Sequence, residues 1–154
     1  SLIVEPFSVS HDAADPIGIN VFAGNDKATI VTDTGVISDD ILRRIDDTTL
    51  LVLEANYDPH MLRFGPYQPF LKQRVASDEG HLSNEMAAQA LLMMKRPDFM
   101  QVILAHRSEN NNNSVLVTQT IGKMLVDGGV RIGPEMKLQH GQPNEIVSIQ
   151  SVKR

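Results

Sequence analysis

The chain has 154 residues, 42% hydrophobic and 21% charged, which suits a single globular domain able to bury a real core. Fourteen Lys and Arg against nineteen Asp and Glu give a net charge of −5, excluding non-specific coating of nucleic acid but not a phosphodiester substrate served by bound cations. The absence of cysteine excludes disulfides and thiolate metal sites, so any metal must use imidazole, carboxylate and water, donors suited to zinc, manganese or iron.

In chain order, Leu2 to Val9 reads as a strand whose polar end, Ser10-His11-Asp12, leaves the sheet. Ile17 to Phe22 is a second strand, Gly24-Asn25-Asp26 a hairpin turn, and Lys27 to Thr32 a third strand with Ile30-Val31 at its centre. These short links predict an antiparallel portion, after which helices and strands alternate. Ser38 caps a helix with Asp39 and Asp40 in its first turn and Ile41, Leu42 and Ile45 as its apolar stripe. Thr49 to Leu53 is a short buried strand ending at Glu54-Ala55-Asn56, and Asp58-Pro59 starts a short helix. Gly65-Pro66-Tyr67 and Pro69 read as a loop. Ser83 caps a helix over Asn84 to Lys95, with Met86, Ala87, Ala90, Leu91 and Met94 on one face. Met100 to Ala105 is a strand, the asparagines 110–113 a loop, and Ser114 to Asp127 a helix closed by Gly128-Gly129. Two last strands, Glu135 to Gln139 and Ile146 to Ser151, flank a polar turn. No signal peptide is evident, and the helical apolar runs Ala87–Met94 and Val115–Val126 fall short of the ~20 residues of a membrane span. The expected location is cytoplasmic, and the immediate opening into a strand suggests a fragment.

Three metal-competent groups follow three apolar strands: His11, Asp33 and His106. Strand ends converge in open α/β sheets, and imidazoles with a carboxylate on separate tips can build a binuclear metal site. The bland alternatives are an Asx turn at Asp33 and ordinary loop histidines. His81 lies three residues before Asn84, in a loop entering a helix, where it could be a ligand, a general acid or a capping group. His60 and His140 read as surface residues. Arg107, Lys72 and Arg74 are candidate phosphate contacts, with solvated surface charge as the alternative. Glu54 could orient a ligand from behind or cap a helix. No His-x-His-x-Asp-His run occurs, so only about half of a metal centre is visible.

At these residues the chain resembles the metallo-β-lactamase superfamily, in particular its YycJ/WalJ-type branch of exonucleases. The resemblance is carried by Leu53-Glu54-Ala55-Asn56-Tyr57-Asp58, Met61-Leu62, Gly65-Pro66-Tyr67, Leu71-Lys72-Gln73-Arg74 and Gly80-His81-Leu82-Ser83-Asn84, and runs from about Val4 to Asn112. It implies an α/β fold, half of a four-layered αββα sandwich, with a mixed sheet and helices on one face. Residues 1–154 would be the C-terminal half of that domain, with the half bearing His-x-His-x-Asp-His absent. By position, His11 matches the histidine completing the first metal site, Asp33 the bridging carboxylate, and His106 the last histidine of the second site. His81 matches a histidine near the scissile phosphate, acting as proton donor or oxyanion partner. Two departures stand out: Tyr57 where the branch has histidine, and Arg107 where it has leucine. The first is expected at the pocket wall, the second as a cation beside a ligand.

The implied function is a metal-dependent phosphodiesterase or exonuclease acting on nucleic acid through a hydroxide bridging two divalent ions, zinc first, with manganese or iron as alternatives. The rivals are a hydrolase of a small ester or cyclic phosphodiester, and a non-catalytic interaction domain. With two protein ligands per metal, the isolated chain is expected to bind metal poorly and not to turn over. Its expected partners are nucleic acid or another phosphodiester, the missing half, and a second copy of the chain over exposed apolar surface, with no membrane.

Overall fold

The computed structural model describes residues 1–149. Its strands β1 (Leu2–Ser8), β2 (Ile17–Ala23), β3 (Asp26–Val31), β4 (Leu50–Glu54), β5 (Met100–Ala105) and β6 (Met136–His140) form one sheet in sequential order. The pairs β1–β2 and β2–β3 are antiparallel, and β3–β4, β4–β5 and β5–β6 are parallel. The chain turns back twice through short links, so β1 runs the same way as β3, β4 and β5. Their four C-terminal ends therefore share one edge of the sheet.

The helices are α1 (Asp39–Ile45), α2 (Pro59–Phe64), α3 (Pro69–Val75), α4 (Asn84–Met93) and α5 (Ser114–Asp127). Side chains of α1, α4 and α5, among them Ile45, Leu91 and Ile121, join Leu51, Leu53, Val102 and Leu104 of the sheet in one core. At the β1–β2 pair, Phe7 lies over Gly18, where an added Cβ would come within 2.4 Å of the ring. On the opposite face, at the β1–β3 side of the sheet, Leu2, Val4, Ile17 and Ile30 are between 42% and 69% exposed, and Ile17 and Ile30 lie next to buried positions of their strands.

Caps stop and start the helices where the residue types require. Ser38 and Ser83 accept from Ile41 N and Met86 N, each at 3.2 Å. The helix expected to reach Lys95 ends at Met93, because Arg96 Nη1 donates to the free carbonyls of Leu91 and Leu92 at 2.6 and 3.1 Å. The segment after Pro69 is a helix rather than a loop. Proline at its first position costs no hydrogen bond, and Leu71 and Val75 pack with Tyr57 and Leu62 in a second, smaller core. The strand expected over Ile146 to Ser151 does not form across 146–149, and 150 and 151 lie outside the described residues. Ile146 is 96% exposed, so no apolar face holds it. The side chain of Gln139, donating to the Ser148 carbonyl at 3.1 Å, takes the place of a ladder. Among the described residues no helix is long and apolar enough to cross a membrane.

Candidate metal centre

Four of the five co-directional strands, β1, β3, β4 and β5, each deliver one polar side chain to the common edge. His11 follows β1, Asp33 follows β3, Glu54 ends β4, and His106 follows β5 directly. His81 arrives from the link between α3 and α4. The Nε2 atoms of His11 and His106 lie 3.7 and 3.6 Å from the same Asp33 oxygen, Oδ1. His81 sits between the two rings, with centroids 5.0 Å from His11 and 5.2 Å from His106. All four residues singled out in the sequence are thus brought together.

Asp33 and His106 take left-handed backbone conformations, with φ of 55° and 52°. Such values are uncommon outside glycine and persist only where the surroundings enforce them. Around His106 the enforcing groups are amides: Asn56 Nδ2 donates to its carbonyl at 2.8 Å. Asn112 donates to Ala55 O at 3.0 Å and exchanges two amide bonds with Asn84, at 2.8 and 3.1 Å. Around Asp33, Gly35 N donates to Ser10 O at 2.9 Å, and Ser10 N to Thr34 Oγ1 at 3.2 Å, locking its loop to that of His11.

Glu54 is fully buried behind the histidines. Its Oε1 accepts from Nδ1 of both His81 and His106 at 2.7 Å, and its Oε2 from Thr34 N at 3.1 Å. His11 Nδ1 donates to the Gly80 carbonyl at 3.0 Å. Carboxylate and carbonyl oxygens only accept, so Nδ1 carries a proton in all three rings, and Nε2 is the atom that offers a lone pair whenever the ring is neutral. Burial pushes the Glu54 carboxyl up, but the bonds from His106, His81 and Thr34 outweigh it and hold the group below its ordinary range. The bond to Glu54 raises His106 above an ordinary histidine, against the effect of its burial, and Asp33 adds to the rise. Ligand atoms of His11, Asp33 and His81 fall within 4.8 Å of one another, as do those of Glu54, His81 and His106. The second group is already occupied by the two Nδ1 protons that Glu54 accepts. The donor set that fits a cation is therefore the outward one, His11, Asp33, His81 and His106, with Glu54 orienting two of the rings.

A cavity of about 480 Å³ opens over these side chains, walled by Tyr67, Leu71, Arg74, Arg107, Ser108 and Asn110. Arg74 makes a two-pronged pair with Asp12, holding that carboxyl below its usual range. Arg107 lines the cavity next to His106, as its sequence position implies. Tyr57 does not stand at the cavity wall; it is 6% exposed and packs on Leu62 and Val75 beneath it. His60 is a surface residue lying against Phe64, whereas His140 is half-buried and shares a 2.9 Å bond with Thr118 Oγ1. Lys95 pairs with Asp47 at 2.9 Å, so with Arg96 capping α4 neither is at the cavity.

Comparison with known proteins adds relatives to this geometry. The chain is 36% identical over 149 residues to exodeoxyribonuclease YycJ of Bacillus anthracis, covering 97% of this chain and 56% of that protein. It is 33% identical over 141 residues to exodeoxyribonuclease WalJ of Streptococcus pneumoniae, covering 92% and 52%. The chain spans about half the length of these curated relatives. Among solved structures it superposes on the metallo-β-lactamase fold protein YhfI of Bacillus subtilis with a TM-score of 0.61 at 12% identity, covering 89% of this chain and 46% of that one. Zn²⁺-bound PqqB of Methylobacterium extorquens gives 0.58 at 18%, covering 90% and 44%. The mixed sheet is thus that of the metallo-β-lactamase fold. No protein-family model matches.

Proposed function

We propose that the chain is the C-terminal half of a metal-dependent exonuclease domain that hydrolyses nucleic-acid phosphodiesters. The observation that carries this reading is the convergence of two Nε2 lone pairs on one carboxylate oxygen, His11 and His106 on Asp33 Oδ1 at 3.7 and 3.6 Å. Lone pairs and a carboxylate aimed at one another, with both Nδ1 protons engaged behind, are a donor set for divalent cations. His11 and Asp33 would serve one cation, Asp33 and His106 a second, with zinc the first choice and manganese or iron the alternatives. Such cations supply Lewis acidity toward phosphate and a nucleophile at neutral pH.

The protein's own part is orientation and proton transfer. Glu54 holds His81 and His106 in one tautomer, and the Gly80 carbonyl does the same for His11. His81, at the cavity with its Nδ1 held by Glu54, is the ring we leave off both cations; with Nε2 also protonated, it would give that proton to the leaving oxygen. The remaining ligands would come from a His-x-His-x-Asp-His segment preceding Ser1, whose own sheet would cover Leu2, Val4, Ile17 and Ile30. A cytoplasmic location belongs to the same reading, which a cysteine-free chain accommodates.

The test is to express the gene product including the codons upstream of Ser1 and assay bis-p-nitrophenyl phosphate, then single- and double-stranded DNA. The proposal expects hydrolysis that chelation abolishes and Asp33→Asn removes, with the 154-residue chain alone inactive. Hydrolysis of the small diester without DNA would favour a small-molecule hydrolase. Activity that survives both chelation and Asp33→Asn would sink the proposal.

A further inference from the structure

The α2–α3 hairpin stands out from the rest of the surface. Residues 59–75 contain Arg63, Lys72 and Arg74 and no Asp or Glu, in a chain whose net charge is −5. The same segment presents Phe64 and Phe70 at 67% and 71% exposure, two large rings that bury little of themselves in the core. Phe64 is held in place by the His60 ring at 4.6 Å and by the Arg63 guanidinium 5.3 Å from its centroid. Lys72 Nζ donates to the Arg63 carbonyl at 2.7 Å, tying α3 to the end of α2 and setting its charge on the hairpin's surface. Tyr67, Leu71 and Arg74 of the same hairpin line the cavity over His11, Asp33, His81 and His106. One short element therefore runs from exposed rings and cations to the candidate centre.

We propose that the hairpin of residues 59–75 is a platform for single-stranded nucleic acid, with Phe64 and Phe70 stacking bases and Arg63 and Lys72 meeting phosphates. The polyanion is chosen over a protein partner by charge: a segment of cations without acids, in an acidic chain, complements phosphate. Single strands are chosen over duplex because the faces of paired bases are stacked on one another and closed to an exposed ring. The inference rests on the proposed nuclease reading for its direction, since the strand would pass from the rings toward the cavity. Stacking itself is independent of hydrolysis.

The experiment is fluorescence anisotropy of a labelled oligothymidylate of about 20 residues with the 154-residue chain in chelator, against a duplex of equal length. Saturable binding is expected, weaker for the duplex. Phe64→Ala and Phe70→Ala should each weaken it by about fivefold to a hundredfold while leaving the salt dependence unchanged. Arg63→Gln and Lys72→Gln should each lower the slope of log affinity against log salt by about 0.7. Both phenylalanines are exposed, so the variants should keep the parent circular dichroism and urea midpoint. Absence of oligonucleotide binding, phenylalanine variants that bind unchanged, or equal binding of duplex would overturn the platform. So would phenylalanine variants that only dissolve a dimer in sedimentation, which would make the patch a contact between copies. Because chelator removes any metal, binding without phosphodiesterase activity in the longer product would sink the nuclease reading alone. Hydrolysis of bis-p-nitrophenyl phosphate without oligonucleotide binding would sink the platform alone.

Discussion

Replacing Glu54 by glutamine tests the polar core of the site, because the substitution keeps shape and removes charge. The carboxylate accepts three hydrogen bonds: from His81 and His106 on Oε1 and from Thr34 N on Oε2. Hydrogen bonds to charged acceptors contribute about 1.5–3 kcal/mol against about 0.5–1.5 for neutral ones, so the loss is about 1 kcal/mol per bond. The two ring contributions are discounted because His81 and His106 are 20% and 42% exposed and water can replace part of each bond. A glutamine amide must also set its NH₂ against either Thr34 N or the two Nδ1 protons, and a buried donor left unmatched costs about 1–3 kcal/mol. The sum is about 2–4 kcal/mol, which at a urea slope of about 2 kcal/mol per molar lowers the unfolding midpoint by about 1–2 M. Zinc affinity should fall about 10- to 100-fold as the rings lose their fixed tautomer. Nitrogen-detected NMR of the metal-free chain provides a second readout. The Glu54 bond raises His106, so its stabilisation is complete below the ordinary value of 6.5 and lost as pH rises through the raised folded value. In Glu54→Gln the His106 titration should move back down. An unchanged urea midpoint together with an unchanged His106 titration would refute the reasoning.

Two further outcomes follow from other parts of the structure. Gly80→Ala would bring a Cβ to 2.3 Å from the carbonyl oxygens of Arg74 and Val75, so the loop carrying the acceptor for His11 must shift. We expect a loss of about 1–3 kcal/mol in urea unfolding and weaker zinc binding, with unchanged helical circular dichroism; parent-like values in both would contradict the placement of this loop. His140 is held below an ordinary histidine by burial first and by Arg107 second, so it favours folding above 6.5 and loses that contribution as pH falls below it. His140→Gln should flatten the fall in urea midpoint between about pH 7 and pH 5, and an unaltered profile would contradict this assignment.

What could be read in advance was the end of each strand. Apolar runs followed at once by His11, Asp33 or His106 mark strand tips, and short links through Gly24-Asn25 imply a direction that returns β3 alongside β1. Glu54 was harder to weigh, because an acid ending Leu-Leu-Val-Leu looks the same whether it meets water or two imidazoles. Its decisive property, complete burial, depends on loops that converge only in three dimensions. The asparagines carried even less signal. Asn112 and Asn84 pair across 28 residues, a contact with no periodicity to betray it. The helix at Pro69 was hidden for a different reason: proline reads equally as loop or as first helical residue, and its partners Tyr57 and Leu62 lie outside the segment. Phe64 and Phe70 could not be known as exposed until the small core beneath them left them out.

The central claim is that His11, Asp33, His81 and His106 face a common point where divalent cations are held. Paramagnetic Mn²⁺ at millimolar concentration, added to the chain while imidazole resonances are recorded, tests it most directly. The account expects selective broadening of His11, His81 and His106, spared His60 and His140, and loss of the effect in Asp33→Asn. Broadening that is absent, or that treats all five histidines alike, would contradict it.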